Sequence, residues 1–460
     1  MYELTRKDCE AIHREALGIL SDVGVELGHR KLLDPAAAIG AQVDRVSMRV
    51  RFPPRLVEEF IAGCPKTDWS VRQPRLLVRA SIYGGKHLDP DTGLLAHFDR
   101  RRLTDYFRLA KALPHVSARL VTGCPWPVSP RAVPLYERLH GWLYGAEPSG
   151  FLHPTEASGS LLELYEAYAE LRGRPVRELF RGAVYLASPL KLGPAEAEQF
   201  AWWWERGFRV GIGHMVTGGI SAPVTLAGAV TVNIAEEIAL ALLRKAFYGE
   251  VGLALLATSA TADMRTLMRP YGRPEMALTN MMVASMARFY GVDCFGHSGL
   301  ADAKLPSCEA GAQKTMSALA TLLAGADAMI EAGLLGTDQV FSPIQMILDN
   351  ELAGALKCFV ALPEVTAETI AADLVREVGP GGLFTGTAHT ARHFRAAAWE
   401  PSVWSRQMLS AWEAGGMKAD TDRARELYYK IIPAAPDPTE LMPEEQQTLT
   451  QVIRRVEASG

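Results

Sequence analysis

Hydrophobic and polar positions change rhythm along this chain, and each change predicts a different kind of element. From Leu4 to Leu27 the apolar residues Ile12, Ala16, Ile19, Leu20 and Val23 recur at helical spacing, and the pattern stops at Gly24. Pro53-Pro54 then open a second helix through Leu56, Val57, Phe60 and Ile61, closed by Gly63 and Pro65. The chain up to about residue 75 therefore reads as a small, mainly helical part with short strands. Between Leu76 and Phe98 the rhythm becomes alternation: LLVRASIYGG and LLAHF flank HLDPDTG, whose Asp-Pro-Asp-x-Gly is a turn signal. This predicts a hairpin or small sheet.

From about Arg119 onward, short apolar strand-like runs alternate with amphipathic helices. The strand-like runs are RLVTGCPW, SGFLHP, GAVYLASPL, RVGIGHMVTGG, VGLALLATSA, VDCFGHSG and AMIEAGLL, each followed by a helical pattern. Repeated βα alternation argues for a parallel sheet and an α/β fold. Regular repetition close to eight units favours a (β/α)8 TIM barrel over a doubly wound sheet. No GxGxxG opens any of these helices, which weakens a dinucleotide-binding reading. An eighth unit is expected in EVGPGGLF and the AHTARHF that follows. The segment Trp404 to Val456 reads as charged helix interrupted by Pro433, Pro436 and Pro438. The expected organisation is an N-terminal helical region and small sheet over 1–115, a TIM barrel over 116–400 and a C-terminal helical tail over 401–460.

Composition narrows the function classes. The 460 residues are 48% hydrophobic and 22% charged, which suffices for a large core. The net charge is -4, and the only basic run, Arg100-Arg101-Arg102, reads as a solvated surface, so nucleic acid is not an expected partner. The cysteines at 9, 64, 124, 294, 308 and 358 form no CxxC pair and read as reduced thiols. The N-terminal MYELTRKDCE has no apolar signal core, and no uncharged apolar run reaches the ~18 residues of a membrane span. A cytoplasmic protein without a membrane partner is expected.

The richest chemistry lies in two loops between Thr258 and Thr315, on either side of an apolar helix. The first carries Asp263, Arg265, Tyr271, Gly272, Pro274 and Glu275, and the second His297, Ser298, Asp302 and Lys304. In a barrel, loops after strands line one mouth. The other strand ends offer Thr122, His153, Ser188, His214, Thr258 and Glu331. Glu331 sits between apolar neighbours, where a carboxylate is either functional or paired with a buried group such as an arginine. Asp302 and Lys304, two residues apart, are functional or pair with each other at the surface. Tyr83, Trp126, Tyr271 and Phe384 are aromatic candidates for holding a quaternary ammonium by cation–π attraction. The Trp202-Trp203-Trp204 run reads as packing. His389 and His393 share a helix face and would bind zinc only with a third ligand, and no HExxH is present.

Several separated segments together resemble one family. They are ADMRT (262–266) with YGRPE (271–275), SGLADAKLPSCEAGAQKT (298–315), DNELAG (349–354), GPGGLFTGTAHTARHFR (379–395), WEAGGMK (412–418) and HREALGILSDVGVEL (13–27). These are similar to the signatures of the trimethylamine methyltransferase family of corrinoid-dependent methyltransferases. The resemblance implies a TIM barrel that passes a methyl group from an amine to the cobalt of a corrinoid carried by a separate protein, with no cofactor bound by this chain itself. The chain has only standard residues, so the resemblance is to members without pyrrolysine, which act on quaternary amines such as glycine betaine. The expected catalytic residues are Glu331, His297 and Asp302. The expected substrate-binding residues are Tyr83, His214, Tyr271, Glu275, Lys304, Phe384 and His389, with no metal ligands. The expected partners are a small methylated amine, a corrinoid-binding protein and further copies of the chain. One departure is clear: the family's Gly-Gly-His-Phe stands here as Gly381-Gly382-Leu383-Phe384. A non-catalytic paralogue that binds a small cation or a partner, and a metal-dependent barrel enzyme using His389 and His393, are the alternative readings.

Overall fold

Eight short strands run parallel, and each lies where an apolar run follows a helix stop. They are β1 (Leu76–Tyr83), β2 (Ala118–Thr122), β3 (Glu147–Pro148), β4 (Gly182–Leu186), β5 (Val210–His214), β6 (Ala254–Ala257), β7 (Asp293–Gly296) and β8 (Asp327–Ala332). The computed structural model describes residues 3–83, 85–124, 126–148, 150–152 and 157–458. A continuous ladder joins six of the strands in the order β6-β7-β8-β1-β2-β3. Strands β4 and β5 form a parallel pair of their own. A bridge from Phe151 to Ala183 links the chain after β3 to β4, and Thr217–Gly218 pairs with Ala260–Thr261 beyond the ends of β5 and β6. The result is an α/β architecture around a curled parallel sheet.

Helices α1 (Arg100–Ala112), α2 (Val133–Tyr144), α3 (Ser158–Arg172), α4 (Pro194–Trp204), α5 (Leu226–Tyr248), α6 (Pro274–Tyr290), α7 (Cys308–Leu323) and α8 (Pro343–Val360) connect the strands. Strand β8 shows why the sequence forms this layer: all six of its residues are buried, as expected of a parallel strand covered on both faces. In β1, Val78, Ala80 and Ile82 pack into a core with Tyr106 and Phe107 of α1 and Met346 and Ile347 of α8. Alternation places Arg79, Ser81 and Tyr83 on the opposite, inner face. Helix α6 stops at Gly291, whose φ of 67° is the left-handed conformation that glycine adopts at lowest cost. Helix α5 is long and apolar enough to cross a membrane by length and composition, but 78% of its apolar window is buried inside the protein, the position of a core helix.

Two readings of the chain change. Leu76–Tyr83 is not part of a separate hairpin; it is a central strand between β8 and β2, although it precedes the expected division at 115/116. Its alternating pattern reflects an inner face that carries polar groups. The hairpin itself does form, between Lys86–Leu88 and Leu95–His97. The segment expected to supply an eighth unit contains helices Ala372–Val378 and Ala388–Ala397 with no buried residue in either. At the N-terminus, helix Arg6–Asp22 and helix Pro54–Gly63 form as the pattern predicts, around the short antiparallel strands Val25–Leu27, Gln42–Asp44 and Arg49–Arg51.

Candidate active site

The inner face of the sheet is polar where β1 and β8 adjoin, because Glu331 lies directly across from Arg79 in the register. Glu331 is 1% exposed. It accepts hydrogen bonds from both Arg79 Nε, at 3.2 Å, and Arg79 Nη2, and a third from the Ser81 hydroxyl. A buried carboxylate held this way is satisfied rather than free. Its main chain is fixed as well: Lys314 Nζ of α7 donates to the Glu331 carbonyl at 2.8 Å and pairs with Asp349 of α8 at 2.6 Å. Asp349 in turn accepts from the Gly333 amide and from Gln345. Of the two readings open for Glu331, a task or a buried partner, the geometry supplies the partner, Arg79.

The loops after β6 and β7 close over this pair. Tyr271 is buried and packs with Met276, Leu300, Leu334 and Tyr83. The His297 ring meets Tyr271 edge to face at 5.4 Å. Desolvation lowers the His297 pKa to about 4, and the Arg269 and Arg79 cations add to that against the pull of Glu331. The imidazole is therefore neutral at pH 7. Burial, together with Glu331, pushes the Tyr83 hydroxyl well above its ordinary value, so it stays protonated.

Asp302 has a supporting position. Its carboxylate accepts from the Tyr271 amide at 2.7 Å, the Gly272 amide at 2.9 Å and the Thr337 hydroxyl at 3.1 Å. It thus ties the loop after β6 to the one after β8, and Lys304 stands exposed beside it instead of pairing with it. Gly299 makes this closure possible: at φ 64° a Cβ would come within 2.3 Å of the Met329 carbonyl oxygen.

Two residues of the site carried no clear signal in the sequence. Arg269 donates to the Val216 carbonyl at 2.8 Å, the Thr217 hydroxyl at 2.9 Å and the Thr258 carbonyl, all neutral acceptors, while its Nε is buried without a partner. Its guanidinium carbon lies 5.7 Å from the Tyr271 ring centre. Asp338 sits at φ 69° in the tight turn after β8. Burial raises its pKa to about 6, with Glu331 adding to the shift and Arg269 opposing it. Both residues lie in loops whose sequence looks like ordinary turn, and only folding brings them to the same opening.

Other expected site residues lie elsewhere. Both His214 ring nitrogens face α5, 2.8 Å from Glu236 and 2.8 Å from Glu237. It is a clamp between strand and helix on the outer face, not a mouth residue. Burial opposes its charge, but the two glutamates outweigh that and raise its pKa to about 9. Glu275 is half-buried in the first turn of α6, where its Oε2 is buried without a hydrogen-bond partner. Phe384 and His389 belong to the exposed segment after α8, where His389 and His393 both turn to Glu368. Among the described residues no group of three His, Cys, Asp or Glu side chains is arranged to hold a metal ion. His153 falls outside the described residues.

A cavity of about 580 Å³ extends from Arg79 and Tyr83 past Thr122 and Tyr185. It passes out between β3 and β4, where Phe151 stacks on Tyr185 at 4.7 Å. Its walls combine the rings of Tyr83, Phe151 and Tyr185 with the charged side chains of Arg79, Glu147 and Arg181, a lining that suits a small charged molecule.

Comparison with known proteins identifies relatives of this chain. The family model for trimethylamine methyltransferase (MTTB) matches residues 168–460. Trimethylamine methyltransferase MttB of Desulfitobacterium hafniense (strain DSM 10664 / DCB-2) is 28% identical over 470 residues, spanning 97% of this chain and 92% of that protein. Glycine betaine methyltransferase of Desulfitobacterium hafniense (strain Y51) is 26% identical, spanning 95% of this chain and 94% of that protein. The solved monomethylamine methyltransferase MtmB of Methanosarcina barkeri superposes with a TM-score of 0.46 at 11% identity over 100% of this chain and 88% of that one. With its signature matched over well more than half its length, the chain belongs to the trimethylamine methyltransferase (MTTB) family.

Proposed function

We propose that this protein is a corrinoid-dependent methyltransferase whose substrate is a zwitterionic quaternary amine of the betaine type. The observation that carries this reading is the charge arrangement of the mouth. Glu331 and Asp338 face Arg79 and Arg269, and the first of each is already paired. That leaves one carboxylate and one guanidinium, with the tyrosine pair Tyr83 and Tyr271 beside them. A trimethylammonium group suits the aromatic faces and Asp338, while a carboxylate on the same molecule suits Arg269. A bare cation would leave Arg269 uncompensated.

A quaternary nitrogen is already charged and leaves as a neutral amine when it loses a methyl group, so this chain's residues need only orient it and exclude water. Neutral His297 and the protonated Tyr83 hydroxyl border the reacting end without adding charge. The methyl acceptor is the cobalt of a corrinoid brought by a partner protein. An eight-stranded barrel closed through β4 and β5 is the architecture proposed for the site. The loops after β5 and β6 expose Met215, Ile220, Val224, Met264 and Leu267, an apolar rim of the kind that receives a docking protein.

The test is incubation with a reduced corrinoid protein and a panel of glycine betaine, tetramethylammonium and trimethylamine, following methyl-cobalt formation by absorbance. Methyl transfer from the betaine at a rate at least tenfold above the other two is expected. Equal rates for betaine and tetramethylammonium would overturn the zwitterion reading, and no transfer from any of them would overturn the enzyme reading.

A further inference from the structure

Strands β3 and β4 face each other across the curled sheet, yet they do not form a ladder. Among the described residues a single bridge joins the two edges, where the Leu152 amide donates to the Ala183 carbonyl at 3.0 Å and the Ala183 amide to the Gly150 carbonyl at 2.5 Å. Backbone groups beside the bridge find other partners. The Phe151 carbonyl accepts from buried Arg138 Nη2 at 2.9 Å, and the Gly145 carbonyl, just before β3, from Arg119 Nη2 at 3.1 Å. On the β4 side the Tyr165 hydroxyl donates to the Arg181 carbonyl at 3.1 Å and accepts from the Arg181 amide at 3.3 Å. Backbone groups left without partners at such an edge would be costly. Here side chains of α2, α3 and β2 satisfy them, so the gap is a built part of the fold.

The cavity of about 580 Å³ runs through this gap. Its inner end is lined by Arg79 and Tyr83 of β1 and by Leu120 of β2, on the inner face of the sheet. Its outer end lies between α2 and α3, beside Trp142 and Tyr168, whose rings stack at 3.9 Å. Between the two ends, Gly150, Gly182 and Ala183 present no more than a methyl group to the passage. Solvent meets the central ion pair from this side. Tyr271, Leu300 and Leu334 at the mouth are 4, 2 and 1% exposed, whereas the Arg79 side chain keeps 21% of its surface. The lining carries both signs, with Arg174 and Arg181 against Glu147 and Glu178, so a dipolar molecule is neither repelled nor trapped.

We propose that this gap is a side passage through which a small methylated amine enters the sheet and its demethylated product leaves while a partner protein covers the mouth. What travels through it rests on the methyl-transfer reading above; that the passage admits a small cation does not. In a displacement at carbon, the methyl acceptor and the leaving nitrogen stand on opposite sides of the transferred group. A partner that takes the methyl group at the mouth therefore leaves the amine directed into the sheet, with the way back covered. A side opening lets the product depart and the next molecule enter without release of the partner.

Thiol labelling tests the passage without any turnover. Leu120→Cys places a thiol at the inner end, and 2-(trimethylammonium)ethyl methanethiosulfonate is a reagent that carries a quaternary ammonium head. Modification at residue 120 of the full-length protein is followed by fragmentation mass spectrometry, with the unaltered chain as the control for its own cysteines. At Gly150 a Cβ would meet nothing closer than the Ala183 nitrogen at 3.6 Å, so Gly150→Trp can be added to fill the gap. Labelling of Leu120→Cys is expected, and Gly150→Trp is expected to slow it by at least an order of magnitude. No labelling of Leu120→Cys, or an unchanged rate when Gly150→Trp is added, overturns the proposal. Should Gly150→Trp fail to fold, Ala183→Trp fills the same gap from β4. In turnover with a corrinoid protein, Gly150→Trp alone is expected to lower kcat/KM for the amine and to leave KM for the corrinoid protein unchanged; a change confined to the latter also overturns the proposal. If no methyl transfer occurs at all, the functional reading fails, and the labelling result still decides whether the passage exists.

Discussion

Replacing Glu331 by glutamine tests the central ion pair directly. The substitution keeps the shape and the acceptor for Ser81 but removes the charge opposite Arg79. Breaking a buried pair from one side costs ~3–5 kcal/mol, because the surviving charge is left uncompensated. The Arg79 side chain is 21% exposed against 2% for Glu331, so water reaches one end of the guanidinium and the lower value, ~3 kcal/mol, applies. An unfolding entropy of roughly 2 cal/mol/K per residue gives about 1 kcal/mol/K for a chain of this length, hence a fall in Tm of about 3 °C. The double variant Arg79→Met with Glu331→Leu removes both charges and is expected to recover to within ~1 kcal/mol of the unaltered protein. Scanning fluorimetry and urea unfolding on the unaltered protein, Arg79→Met, Glu331→Leu and the double variant complete the cycle. A Glu331→Gln protein that melts within a degree of the original, or a double variant that shows the summed loss of the two singles, would refute the pairing argument.

Further outcomes follow from the same geometry. Asp338→Asn is expected to raise KM for a quaternary amine about tenfold, as loss of ~1.4 kcal/mol of binding implies, with steady-state kinetics as the check. In the unaltered enzyme kcat/KM falls as pH drops through about 6, where Asp338 takes up its proton, and the asparagine variant loses that limb. Arg269→Met is expected to raise KM for glycine betaine while leaving tetramethylammonium unchanged; equal effects on both would remove Arg269 from the carboxylate role. For His214 the folded pKa of about 9 lies above the ordinary 6.5, so its stabilisation is complete below pH 6.5 and is lost as pH rises through about 9. Urea unfolding from pH 6 to 10 shows that loss in the unaltered protein, and His214→Gln is flat across the same window.

Much of the architecture was legible because local patterns carried it. The apolar runs of β2 and of β4 to β8, the helices between them, and the helix stops at glycine all follow from spacing that needs no distant partner. Strand β1 was misread for a physical reason. Its inner face holds Arg79, Ser81 and Tyr83, so it alternates like the edge of a small sheet, and only its place between β8 and β2 shows it to be central. The same limit applies to single residues. The sequence established that Glu331 in an apolar strand needed either a task or a partner, and that Tyr83 and Tyr271 were available to a cation. It could not tell that Arg79, 252 residues away, supplies the partner. Nor could it tell that His214 turns outward to two glutamates, or that Arg269 and Asp338 meet at the mouth. Periodicity records which face of an element is buried, and that is a local property. Which charges neutralise one another depends on distances of a few ångströms between segments far apart in the chain, and tertiary packing alone sets those distances.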